Sequence, residues 1–183
     1  MNDIMLTEAG AFAGTDQDAL LEAQLRSAFM FGDADAAGAE YRSEFVTNDP
    51  DRKLKVLTVI EDELEQCTSF DISVAFVTMS GIEPLLQILQ ELRDRSVLGR
   101  VLTTDYLFFS EPAAMRKLAS LSNIEVRLFR TEGRQGFHTK GYIFNSGDVC
   151  RFMIGSSNLT ATALAMNREW NARLVSKQTG AFA

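Results

Sequence analysis

DISVAFVTMSGIEPLLQIL, residues 71–89, sets the fold. Its first seven residues form a short apolar run with β-branched side chains and few charges, the pattern of a strand buried on both faces. Ser80 then stands three residues before Glu83, the spacing of a capping box. A hydroxyl there serves the third amide of a helix while the carboxylate reaches back. The helix so opened lines Ile82, Leu85, Leu86, Leu89 and Leu92 along one stripe. Outward from this pair the alternation repeats. GRVLTTD (99–105) reads as the next strand, Ser110-Glu111-Pro112 opens a helix running to about 121, and IEVRLF (124–129) is a third strand. Three further strand-like runs follow: TKGYIF (139–144), CRFMIG (150–155) and REWNARLVS (168–176). Upstream, residues 51–66 carry Leu57, Ile60 and Leu64 at helical spacing. The order β-α-β-α-β, then a hairpin-like pair and a last strand, predicts an α/β domain with a mixed β-sheet flanked by helices.

Residues 18–30 place Leu21, Leu25, Ala28 and Phe29 on one face of an amphipathic helix, and GDADAAGAE (32–40) reads as a connector. The expected division is therefore an N-terminal arm with its helix at 1–50 and the α/β domain at 51–183. The chain stops soon after an apolar strand, which suggests a piece of a longer protein.

Composition excludes several classes. With 46% apolar and 23% charged residues in a chain of 183, a packed core forms and wholesale disorder is excluded. No apolar run reaches the 18 or more residues of a membrane span. The first ten residues carry Asp3 and Glu8 and no basic side chain, unlike a targeting segment. Cys67 and Cys150 lie far apart, without the spacing of a disulfide framework or a zinc site, which fits a reducing cytoplasm. His138 is the single histidine, so a cage needing two histidines of one chain is impossible. Neither metal nor cofactor is expected.

Net charge is −7, which argues against a general nucleic-acid coat. Its distribution is uneven. Residues 1–122 hold ten Lys/Arg against 21 Asp/Glu, while residues 123–183 hold eight against four. The late basic set is Arg127, Arg130, Arg134, Lys140, Arg151, Arg168, Arg173 and Lys177. A positive region on an acidic body suits an anionic group bound in one pocket.

The chemistry concentrates in residues 138–170. His138-x-Lys140 begins one strand, Gly155-Ser156-Ser157-Asn158 ends the next, and Asn167-x-Glu169 begins the last. Residues two apart on a strand share a face, so His138 and Lys140 project together. Lys140 supplies a point charge, and Ser156 and Asn158 supply donors for an oxyanion. Glu169 is expected to accept the second imidazole N–H and fix the tautomer of His138. Nucleophile, charge neutralisation and orienting group together suit a phosphate ester. Thr104, Asp105 and Tyr106 follow a strand and could form a substrate-binding rim, as loops after strands often do. Arg134, just before His138, could meet a neighbouring phosphate.

These residues resemble the phospholipase D superfamily, whose signature is His-x-Lys-x4-Asp followed by Gly-Ser-x-Asn, and most closely its small single-motif nucleases. The resemblance implies a phospholipase D/nuclease-like fold and a phosphohistidine intermediate. His138 would be the nucleophile, Lys140 and Asn158 would hold phosphoryl oxygens, Ser156 would support them, and Glu169 would hydrogen-bond His138. The signature's aspartate is Asn145 here. A broader likeness over residues 20–176 is to the N-terminal phospholipase D-like module of large bacterial superfamily-two DEAD/DEAH-box or restriction-type helicases. No Gly-x-x-x-x-Gly-Lys-Ser/Thr phosphate loop occurs in the chain, so the helicase motor would lie elsewhere in a parent protein.

A phosphohistidine route needs a second group to protonate the leaving oxygen and later to activate water. One histidine cannot do both, so the expected partner is a second copy, a two-fold dimer that brings two His138 rings to one phosphate. The expected function is a metal-independent phosphodiesterase, a DNA nuclease module without a membrane association. The alternative is a catalytically weak or inactive module that binds DNA and dimerises. Lipid phosphodiester chemistry is disfavoured, because the chain has no membrane segment or basic amphipathic helix.

Overall fold

A computed structural model describes residues 43–132 and 136–177. The helix expected at 18–30 lies outside them, as does Arg134. All described elements belong to one compact unit, Tyr41–Ala183. They run β1 (Glu44–Val46), α1 (Val56–Gln66), β2 (Ser69–Val74), α2 (Met79–Ile82), a 3-10 turn (Glu83–Leu85), α3 (Leu86–Asp94), β3 (Leu98–Thr104), a 3-10 turn (Tyr106–Phe108), α4 (Pro112–Ala119), β4 (Ile124–Phe129), β5 (Lys140–Ser146), β6 (Val149–Gly155), α5 (Ala161–Ala165) and β7 (Asn171–Lys177).

The strands form one sheet in the order β1-β7-β6-β5-β2-β3-β4. β2, β3 and β4 are parallel, as their helical connections require, and the remaining pairs are antiparallel. This is the mixed sheet that the alternation of patterns predicts. β1 pairs with β7, so the sheet takes in residues N-terminal to the expected boundary at 51.

Period-two alternation sends one face of the sheet inward. Phe70, Ile72 and Val74 of β2 pair across with Phe144, Tyr142 and Lys140 of β5. The apolar members join Val101, Met153 and the helix residues Ile60, Leu64, Ile82, Leu85, Leu89 and Leu92 in one core cluster. Lys140 therefore shares the inward face of β5 with Tyr142 and Phe144, at the end where that face opens. Cys67 and Cys150 are both buried free thiols.

The helix after β2 differs from its sequence reading at its start. Its N-cap is Thr78, whose hydroxyl accepts from the Gly81 amide at 3.1 Å, and not Ser80. The cause is tertiary. Val77 bridges Leu159, and the Thr78 amide donates to the Leu159 carbonyl, so the chain stays extended up to Thr78. Ser80 then falls inside the first turn. The helix packs so closely that a side chain at Gly81 would meet the Leu159 carbonyl oxygen at 2.1 Å.

Candidate functional site

Antiparallel register gathers the chemistry at one end of the sheet. The C-terminal end of β2, the start of β5, the end of β6 and the start of β7 are neighbours: Val74 lies opposite Lys140, Gly141 opposite Ile154, and Gly155 opposite Asn171. His138 precedes β5, Ser156–Asn158 follow β6 and Glu169 precedes β7. Residues distant in sequence thus meet at the carboxyl end of β2, where open α/β sheets place their sites.

His138 is exposed and Lys140 is buried beside it, with Nζ 2.9 Å from His138 Nδ1 and 3.2 Å from the His138 carbonyl oxygen. Burial lowers the Lys140 pKa below the ordinary lysine value, and the negative charge of Glu169 partly opposes this. In the window between the lowered folded value and ~10.4, the unfolded chain binds more protons than the folded one. The cost of burying this ammonium is thus fully present at lower pH and eases as pH rises through that window. The same shift bears on turnover. The alkaline limb of the pH–rate profile is expected below ~10.4 and should vanish in Lys140→Arg, since guanidinium keeps its charge. A limb that persists unchanged in the arginine variant would assign it to another group.

Glu169 is buried, and its Oε2 accepts a short hydrogen bond from the Ser156 hydroxyl. Ser156 Oγ in turn accepts from the Trp170 amide at 2.9 Å. This corrects the expected pairing: the described hydrogen bonds place Glu169 on Ser156, and Nδ1 of His138 faces Lys140 instead. Ser156 Oγ is committed on both sides and acts by fixing Glu169. Asn158 Oδ1 accepts from the Phe76 amide at 3.1 Å, which leaves its NH₂ as the group available to a ligand. Asn158 and Glu169 line a cleft of about 320 Å³ together with Phe76, Thr78, Phe109, Thr160, Thr162, Ala163 and Asn167. His138 stands against Phe76, with ring centroids 6.1 Å apart.

Two residues that hold this site escape a sequence reading. Asn171 is buried on the inward face of β7. Its Oδ1 accepts from the Ser157 amide at 3.3 Å, and its Nδ2 donates to Ser157 Oγ at 3.0 Å and to the Val46 carbonyl at 3.2 Å. Asn48, also buried, donates to the carbonyls of Ala163 and Asn167 and accepts from the Val56 amide. The only signal for either is a polar residue where the pattern asks for an apolar one.

Gly155 is needed for the approach of β6 to β7. A Cβ there would lie 2.1 Å from the Trp170 carbonyl oxygen and 2.5 Å from Asn171 Oδ1. Gly155→Ala is expected to cost ~1–3 kcal/mol, as overpacking does, whereas Gly141→Ala meets nothing within 4 Å and should be tolerated. Thermal melts of the two variants check this, and equal melting temperatures would refute it.

The other expected residues fare differently. Thr104 is buried, donates to the Phe129 carbonyl and accepts from the Tyr106 amide. Asp105 Oδ1 accepts from the amide and hydroxyl of Thr131, which holds its carboxyl below the usual range. Both hold the loop after β3, in which Tyr106 begins a 3-10 turn. Part of the basic third is paired elsewhere: Arg151 and Arg173 turn to Glu63, and Arg127 pairs with Glu125, whereas Lys140 stands beside His138. Trp170 is 72% exposed, its ring edge-on to Phe45 at 5.7 Å between centroids. Asn145 lies five residues along β5 from Lys140, about 16 Å at strand rise. There it donates to Ser69 Oγ at 3.1 Å. Among the described residues no group of three or more His, Cys, Asp and Glu side chains is placed to hold a metal, and no helix is long and apolar enough to cross a membrane.

A mixed seven-stranded sheet carrying His, Lys, Asn and Glu at one end defines the phospholipase D-like class of α/β proteins. The family model described as cardiolipin synthase, phospholipase D-like domain, matches residues 60–181, about two thirds of the chain, and the chain belongs to that family. No curated protein matches it. Among solved structures the fold is similar to NucT from Helicobacter pylori, with a TM-score of 0.58 at 13% identity over 72% of this chain and 84% of that one. It is similar to Nuc from Salmonella typhimurium, a phospholipase D family member, with a TM-score of 0.53 at 16% identity over 74% and 84%. Yeast tyrosyl-DNA phosphodiesterase 1 matches with a TM-score of 0.54 at 14% identity over 76% of this chain, which spans only 33% of that protein.

Proposed function

We propose that the chain is a metal-independent phosphodiesterase that cleaves DNA through a phosphohistidine on His138, as a nuclease module of a larger helicase or restriction-type protein. The observation that carries this reading is an exposed imidazole with a buried lysine ammonium 2.9 Å from its Nδ1. Lys140 has only protons to offer, so its contact places the ring proton on Nε2. A bound phosphate draws the ammonium to its own oxygens and releases Nδ1. The ring proton then relocates to Nδ1, and the Nε2 lone pair attacks phosphorus. The N–P bond forms as the P–O bond to the leaving strand breaks. Lys140 and the Asn158 NH₂ hold the phosphoryl oxygens, and Glu169, fixed by Ser156, keeps Lys140 charged. His138 of a second copy protonates the leaving oxygen, then takes a proton from water as the water cleaves the N–P bond. The reading needs no metal, because Lys140 supplies the charge that a metal would.

Asn145 supports activity more than its loss. Its place at the far end of β5, on a serine hydroxyl, gives that position a structural role that an amide fills as well as a carboxylate. The helicase context rests on the sequence likeness alone, and the NucT, Nuc and tyrosyl-DNA phosphodiesterase likenesses support a fold suited to phosphodiesters.

The direct experiment incubates the full chain with supercoiled plasmid and with single-stranded oligonucleotide in EDTA. Cleavage is expected with both or with the single strand. No cleavage, or cleavage abolished by EDTA, contradicts the reading. Sedimentation equilibrium should return a dimer mass, and an active protein that stays monomeric at every concentration would remove the shared site.

A further inference from the structure

We infer that the loop after β3 is a base-stacking rim, so that the strand cut at His138 is single-stranded. This rests on the phosphodiesterase reading and adds its substrate class. The loop displays three large apolar side chains in succession: Leu107 at 57%, Phe108 at 91% and Phe109 at 59% exposure. Water at a solvent-facing loop tip favours polar side chains, and an exposed aromatic pair there needs a reason beyond folding.

The tip is held firmly. The Tyr106 amide donates to Thr104 Oγ1, and the Phe108 amide donates to the Asp105 carbonyl. On the far side Ser110 is buried, donating to the Ala75 carbonyl, and the Glu111 amide donates to the Val77 carbonyl. Between these anchors Leu107 and Phe108 have φ of 56° and 55°, the left-handed region that bulky side chains avoid. Strain of this kind persists only where the surroundings impose it, and it gathers at functional sites.

The rim is continuous with the site. Phe109 lines the same cleft as Asn158 and Glu169. Phe76 stands between it and the nucleophile, 5.1 Å from Phe109 and 6.1 Å from His138 by ring centroids. A phosphate at His138 therefore puts its neighbouring base beside these rings. Every base has a flat face that can stack on an aromatic side chain, but only an unpaired base can offer it. A lipid surface fits less well. Residues 101–115 contain no Lys or Arg, while Asp105 and Glu111 flank the tip. Stable attachment to a membrane takes a second signal, such as a basic patch, beside the apolar one.

The test uses the full chain carrying His138→Asn, so that strands stay uncut, and fluorescence anisotropy with two labelled single strands of equal length. One carries its bases and the other is abasic at its interior positions. The base-carrying strand is expected to bind about 5- to 100-fold more tightly. Phe108→Ala in the same background should remove most of that preference and Phe108→Trp should restore it. Equal affinity for the two strands, or a preference unchanged in Phe108→Ala, overturns the inference. So does co-sedimentation with phosphatidylglycerol vesicles that Phe108→Ala abolishes, which would make the tip a membrane contact. So does a dimer that Phe108→Ala turns to monomer, which would make it a contact between copies. Hydrolysis of methyl p-nitrophenyl phosphate by the wild type and by His138→Asn separates the two readings. Equal rates there sink catalysis and leave the base preference standing; a normal loss of turnover without base preference sinks only the rim.

Discussion

Replacing His138 by alanine is expected to lower phosphodiester turnover on the order of 10⁴-fold or more, the scale on which enzymes lose rate when their nucleophile is removed. The chain has no second imidazole to take its place. Cys67 and Cys150, the only other strong nucleophiles, are buried thiols, and burial pushes Cys67 up to about 11. Lys140 Nζ sits 2.9 Å from His138 Nδ1, but the lysine is buried where the imidazole is exposed. Turnover should therefore fall to background while the fold stays intact, because His138 is exposed. Two measurements check this. One is the rate on a DNA strand with both proteins purified side by side. The other is recovery of an acid-labile, base-stable phosphoryl adduct from the wild type only. Equal rates in the two proteins would end the catalytic account.

Glu63→Ala is expected to destabilise the domain by ~3–5 kcal/mol, the cost of leaving buried charge without its partner. Glu63, on α1, is 6% exposed. Its Oε1 accepts from Arg173 Nε at 2.6 Å and Nη2 at 2.5 Å, and its Oε2 lies 3.7 Å from Arg151 Nε. Arg173 also reaches Glu44 of β1 at 3.2 Å. One carboxylate thus clips α1 to β6 and β7 and, through Arg173, to β1. A guanidinium cannot shed its proton, so removing the carboxylate leaves two cations at the helix–sheet interface. Glu125→Ala breaks the exposed Arg127–Glu125 pair and should cost at most ~1 kcal/mol. Urea denaturation of both variants reads the contrast, and similar midpoints would show that the Glu63 cluster carries little. The effect reaches the site, because β7 also carries Asn171 and starts just after Glu169.

How much of this was legible in the sequence follows from where each signal is local. The strands at 71–77, 99–105 and 124–129 and the helices between them sit within a few residues of where periodicity puts them. Hydrophobic period is a property of neighbouring residues. β1 and α5, three and five residues long, were not legible, because neither spans enough chain to show a period. The cap at Thr78 was ambiguous, since Thr78 and Ser80 are both competent and only the bridge to Leu159 chooses between them. A sum of charges over the late basic cluster ignores pairing: Glu63 lies near residue 60 in sequence and on Arg151 and Arg173 in space.

The sequence by itself determined the alternation of strands and helices, the family signature and the identities of His138, Lys140, Asn158 and Glu169, all carried by short-range spacing. Tertiary structure alone decided that Lys140 faces inward, that Glu169 holds Ser156 and not His138, that Thr104 and Asp105 brace a loop and that Phe108 is displayed at its tip. A hydrogen-bond partner or a burial depends on which strands lie side by side, and that register is set by the packing of the whole core.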